Sequence, residues 1–151
     1  MGAKEQPHNK DVPVADMTNW HGADGYLFAA PTRFGMMCAQ MKAFWDTTGG
    51  LWASGALLGK PAGWLTSTGT PNGGQETTIL TAVTQLTHHG MIYVPQGYAY
   101  PAIQFDTTTV HGISPWGVST IAGYVHRGAC VCVCRMCARV WEGQRTPLAW
   151  R

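Results

Sequence analysis

The sequence predicts an α/β fold built on a parallel sheet, and three observations predict it. Short apolar runs alternate with helix-like segments in the order strand, helix, strand, helix, strand, the pattern of right-handed βαβ units. The runs are unbroken rather than alternating, as in strands buried on both faces. Turn-rich loops follow the first two runs, at the carboxyl ends where such sheets take their ligands.

Residues 1–19 are polar and contain prolines, and Asp11-Val12-Pro13-Val14 reads as a short extended piece. Ala23 to Ala30 is the first predicted strand, and Pro31-Thr32-Arg33-Phe34-Gly35 is its closing turn. Met36 to Thr48 then predicts a helix. Met37, Met41, Phe44 and Trp45 recur at helical spacing, and Gly49-Gly50 stops the run. Leu57 to Pro61 is a connector, and Ala62 to Thr66 is the second strand. Gln75 to His89 carries the clearest helical pattern. Ile79, Ala82, Val83 and Leu86 form one apolar stripe, Glu76 sits in the first turn, His88 and His89 in the last, and Gly90 follows as the terminating residue. Met91-Ile92-Tyr93-Val94 is the third strand, closed by Pro95. Residues 96–124 hold aromatics, glycines and turn residues with little periodicity. From about 125 onward Arg, Cys and Val dominate, so two regions are expected: 1–124, and a distinct Cys-rich tail, 125–151, of low order.

A chain of 151 residues fits one domain. Charged residues make up 12% and the net charge is +2, too little to argue for nucleic acid. Apolar runs fall short of a membrane span. The first fifteen residues carry Lys4, Glu5, Lys10 and Asp11 and do not read as a signal peptide. A cytoplasmic address is therefore expected. Five cysteines, four of them in the last quarter, do not make a disulfide framework.

The centre of the functional reading is Gly63 to Glu76: a short apolar run, a loop of small residues, then a helix start. Free N–H groups at a helix start, together with the helix dipole, favour an anionic ligand. Ser67, Thr68 and Thr70 offer hydroxyls, and Gly69, Gly73 and Gly74 permit close approach. A plain connecting loop would have a similar composition.

Pro31-Thr32-Arg33-Phe34-Gly35-Met36-Met37, Gly49-Gly50-Leu51-Trp52, Gly59-Lys60-Pro61, Ser67-Thr68-Gly69, Gly73 to Thr78, His88-His89-Gly90-Met91 and Ser114-Pro115-Trp116-Gly117 occur in this order. Together, over residues 1–124, they resemble the WrbA-type NAD(P)H:quinone oxidoreductases, a flavodoxin-like family. The resemblance implies a flavodoxin-like three-layer α/β sandwich, bound FMN, two-electron reduction of quinones by NADH or NADPH, and a homotetramer. It implies that Thr32, Arg33, Phe34 and Gly35 embrace the flavin ring and that Ser67, Thr68, Gly69, Thr70, Asn72 and Gly73 form the second flavin loop, Pro71-Asn72 being a small departure from the family pattern. Trp52 would line the quinone and nicotinamide side, and His88 would face the flavin, from a neighbouring subunit in an oligomer. Hydride transfer needs no protein nucleophile, so no catalytic side chain is expected. A flat quinone would stack between flavin and Trp52, with aromatic contact worth about 0.5–1.5 kcal/mol beyond area burial.

The chain also departs from that family. Its first strand and helix, with the phosphate-binding loop, have no counterpart here, and the match stops after Ala122-Gly123. A flavodoxin-like sheet places its first strand centrally, so the isolated chain is expected to bind FMN weakly or not at all. A second expectation follows: a catalytically silent chain that associates with full-length homologous subunits.

Each site residue also has a plainer reading. Arg33 could be a surface charge, Trp52 a packing residue, and His88 and His89 cations at a helix end. Met36, Met37, Met41 and Cys38 read as core filler. Cys130, Cys132, Cys134 and Cys137, with His126 nearby, form a rival constellation for a soft metal. All four lie within eight residues, whereas structural zinc sites draw ligand pairs from separate elements, so an oxidation-prone tail and no metal are expected.

Overall fold

The computed structural model describes Ala15, Trp20 and residues 22–122. The elements follow the order β1 (Tyr26–Arg33), β2 (Met36–Met37), α1 (Ala39–Asp46), α2 (Gly49–Ala53), β3 (Pro61–Thr68), α3 (Gln75–His88), β4 (Ile92–Tyr93), α4 (Pro101–Gln104) and β5 (Val118–Ile121). β3 is the axis of the sheet. β1 runs parallel along one side of it, from Tyr26 opposite Ala62 to Pro31 opposite Ser67. On the other side β4 pairs with its first two residues and β5 with its last four, both parallel. The parallel, helix-connected sheet expected from the sequence is present, and the fold is a flavodoxin-like α/β fold.

The core lies on one face of this sheet. Phe28 and Ala30 of β1 and Ala62 and Trp64 of β3 point the same way, because they alternate along paired strands. α1 covers them with Trp45, whose ring lies 4.6 Å from that of Phe28. α3 covers them with Ile79, Ala82 and Leu86, each fully buried, along the stripe expected. Two layers are thus described, the sheet and the helices α1 to α3. On the opposite face Leu27 of β1 is 47% exposed, and Ala29 and Pro31 are exposed too. β3 is buried on both faces, as expected, but β1 is buried on one.

Several boundaries differ from expectation for identifiable reasons. β1 continues through Pro31 to Arg33, because Thr32 and Arg33 pair with Met37 and Met36 in an antiparallel hairpin. The turn is the pair Phe34-Gly35, both with positive φ (54° and 78°), the two-residue geometry that matches strand twist. That hairpin takes Met36 and Met37 out of the predicted helix, which begins at Ala39 after an extended Cys38. Met36 is exposed, so only Met37, Met41 and Cys38 pack against the core. Gly49-Gly50 do not merely stop α1; they open α2. Leu57, read as connector, is fully buried. β5 was not foreseen, although Val118-Ser119-Thr120-Ile121 is rich in β-branched residues. Gly90 ends α3 in left-handed backbone (φ 67°), as the terminating position requires. The Cys-rich tail lies outside the described residues. Among the described residues no group of three metal-ligating side chains converges, and no helix is long and apolar enough to cross a membrane.

Candidate functional site

The two predicted loops leave neighbouring parallel strands. Pro31 lies opposite Ser67, so Thr32–Gly35 and Thr68–Gly74 emerge side by side at the carboxyl end of the sheet. They touch. A Cβ built on Gly74 would lie 3.1 Å from the Cα of Gly35, and one on Gly35 would lie 2.9 Å from Thr77 Oγ1. Both glycines hold positive φ, 101° and 78°, where an L side chain is strained in any case.

α3 holds the first loop. Thr32 Oγ1 lies 2.7 Å from Thr78 Oγ1 and accepts the Gly35 N–H at 3.2 Å. Thr81 donates to the Gly35 carbonyl at 3.2 Å. Arg33 donates back to the Thr32 carbonyl at 2.8 Å, and its side chain is otherwise open to solvent. Phe34 is fully exposed despite its left-handed backbone.

A buried polar chain holds the second loop from beneath. Thr68 donates to the Thr70 carbonyl at 2.7 Å and accepts from Gln75 Nε2 at 3.2 Å. Ser119 of β5 donates to Gln75 Oε1 at 2.9 Å. The Thr68 side chain is therefore turned inward, 2% exposed, and shapes the loop rather than lining its surface. Gly69, Thr70, Asn72 and Gly73 are exposed above it, and Ser67 is half-buried. Gly74 is the residue preceding α3 and supplies no side-chain cap to its first turn, so the free N–H groups there face outward with the positive end of the helix dipole. A concavity of about 390 Å³ opens at this point, lined by Pro71, Asn72, Gln75, Thr77 and Ile113 among others.

Trp52 and His88 lie elsewhere. His88 is the last of the fourteen residues of α3, which at 1.5 Å per residue puts it roughly 20 Å from the loops. Trp52 sits on α2, whose preceding residue Thr48 is hydrogen-bonded to His89 Nε2 at 2.9 Å. Both side chains are exposed, Trp52 by 61%. The predicted residues therefore fall into two groups, ten at the rim and two at the base. His89, beside them, is buried, and burial together with the neighbouring His88 lowers its pKa.

Sequence reasoning missed the residues that brace the rim: Thr78, Thr81, Gln75 and Ser119. The visible signal was the number of threonines on α3, five of its fourteen residues.

The sequence pattern of the NADPH-dependent FMN reductase family matches residues 3–105. A quinone-oxidoreductase of Triphysaria versicolor is 58% identical over 123 residues, covering 82% of this chain and 60% of that protein. An NAD(P)H quinone oxidoreductase of Candida albicans is 55% identical over 116 residues, covering 77% of this chain and 58% of that protein. The chain thus spans about three fifths of the length of these curated relatives. Among solved structures, the flavodoxin, WrbA-like protein from Agrobacterium tumefaciens superposes with a TM-score of 0.50 at 29% identity, over 57% of each chain.

Proposed function

The chain belongs to the NADPH-dependent FMN reductase family, and on that premise we propose that it serves the FMN-dependent, two-electron reduction of quinones by NADH or NADPH, in the manner of WrbA-type enzymes. The observation that carries this reading is the contact between Gly35 and Gly74, which joins two loops into one rim where backbone can approach a flat ligand closely. FMN fits the residues present there. Gly35, Gly73 and Gly74 let the two loops pack so closely that a Cβ would meet Thr77, Thr70 or the facing backbone, which leaves a rim of bare backbone, and the first turn of α3 offers uncapped N–H donors. Bound FMN supplies a ring that accepts a hydride equivalent from the nicotinamide and passes two electrons to the quinone.

The chain's own work is to bind and orient. Thr32 and Thr78 keep the first loop against α3, and the backbone of Arg33 and Phe34 at its exposed tip would hold the ring edge. The Arg33 guanidinium, tethered to the Thr32 carbonyl, adds positive potential where negative charge grows on reduction. Gln75 and Ser119 fix the Thr68–Gly73 loop from beneath. No side chain acts as a nucleophile, since holding two rings in register is sufficient. Trp52 and His88, remote from the rim of their own chain, complete the pocket of a neighbouring subunit in a homotetramer. A cytoplasmic setting suits the use of reduced nicotinamide nucleotides.

A second reading rests on β1. Among the described residues its outer side from Tyr26 to Pro31 pairs with no strand, and an apolar groove of about 380 Å³ runs beside it. An open edge of this kind needs covering, and in this reading the chain acts only when associated with full-length homologous subunits.

Titrating the purified chain with FMN, followed by flavin fluorescence and absorbance, separates the two. Stoichiometric micromolar binding, weakened at least tenfold by Arg33→Ala, supports the first reading, since one lost charge-assisted contact is worth about 1.5–3 kcal/mol. Binding that appears only after a full-length relative is added supports the second. Absence of binding under both conditions overturns both.

A further inference from the structure

The base of the molecule contains a polar contact for which the flavin rim has no need. Thr48 immediately precedes α2 and is 1% exposed, and His89 follows the last residue of α3 and is 6% exposed. The Thr48 hydroxyl donates to the Trp45 carbonyl at 2.6 Å, so its oxygen is left to accept from His89 Nε2 at 2.9 Å. That assigns the Nε2–H tautomer to His89. Its Nδ1 is buried with no partner, and its ring packs 5.5 Å from that of Trp45.

The contact links, through backbone, the positions of two residues whose side chains are exposed. The Trp52 N–H donates to the Thr48 carbonyl at 3.0 Å, and His88 is covalently next to His89. A second tie, Gly59 N–H to the Gly90 carbonyl at 2.8 Å, closes the same corner one step further along. Burial leaves Thr48 and His89 no water to replace a lost partner, so the bond is made in one geometry or not at all.

We propose that Thr48 and His89 are a positioning pair that holds Trp52 in fixed register with His88, so that the two present one preformed surface to the quinone side of the pocket. The proposal rests on the reading above for its use. Its structural half, a clamp between α2 and the end of α3, stands apart from that reading.

Two measurements on the full chain test it, with FMN and any required full-length partner present. Thr48→Val removes the acceptor, and Thr48→Ser retains it. Hydrogen exchange monitored by mass spectrometry is expected to rise roughly tenfold in α2 for Thr48→Val while β3 is unchanged, with Thr48→Ser like the wild type. Under turnover, KM for 1,4-benzoquinone is expected to rise roughly tenfold in Thr48→Val with kcat within about twofold, and to be restored in Thr48→Ser. Should Thr48→Val not fold, His89→Leu against His89→Gln makes the same comparison, since glutamine keeps an N–H donor. Exchange that rises equally in α2 and β3 marks a general loss of stability and overturns the clamp. An unchanged KM alongside a loosened α2 overturns the positioning role. If the wild type neither binds FMN nor reduces the quinone, the functional reading fails, and the exchange comparison still decides the clamp.

Discussion

Phe34 occupies a backbone region that L-residues avoid, at φ 54°, while its ring lies wholly in solvent. Left-handed backbone costs an L-residue about 1–2 kcal/mol, and nothing in the protein compensates through this side chain. Strain of this kind concentrates at binding sites, and Phe34 stands at the tip of the proposed flavin rim. Phe34→Asn, which tolerates the same backbone, is expected to stabilise the chain by roughly 1 kcal/mol while weakening FMN. Thermal melts and flavin titration on the same protein check both halves. Its neighbours Gly35 and Gly74 are readable in the sequence as residues that allow close approach. That they approach each other became visible only in three dimensions.

α3 is the element that serves both stability and site. Its buried stripe, Ile79, Ala82 and Leu86, grips the sheet, while Thr78 and Thr81 on its first turns hold the loop after β1. Leu86→Ala is expected to cost about 2–5 kcal/mol, because the fully buried site cannot collapse around the loss. Thr78→Val is expected to leave stability nearly intact but to release Thr32, and FMN affinity should fall more than the melting temperature. Denaturant unfolding alongside flavin titration separates these outcomes. The stripe was legible because its period is local. The threonine contacts were not, because Thr78 faces a residue 46 positions earlier.

The whole molecule responds to pH through its base. Burial, reinforced by the charge on His88, lowers the pKa of His89 below the usual histidine value of 6.5. The unfolded chain then binds more protons than the folded one as pH falls through that value. Stability is full above about pH 6.5 and declines on acidification towards the folded-state pKa. His89→Gln is expected to flatten this decline, as read from melting temperatures at about pH 5 and about pH 7.5. An equally steep decline in the variant would assign the acid sensitivity to other groups. Asp106 adds to the acid limb in the same direction. Hydrogen bonds from Thr108 and Thr109 hold its carboxyl well below the usual range, and stability from them is lost only as pH falls further.

Order and spacing along the chain determined the α/β class, the parallel direction of the two long strands, the α3 stripe and the two loops of the rim. All of these follow from periodicity within a dozen residues or from the alternation of strand-like and helix-like segments. Tertiary structure decided the rest. It turned Thr68 inward, placed Trp52 and His88 at the opposite end from the loops they were read with, drew Met36 and Met37 into a hairpin, and added β5 beside β3. The pairing of β5 with β3 and the Ser119–Gln75 bond that braces Thr68 join residues more than forty positions apart, and partners so distant leave no mark on the local pattern.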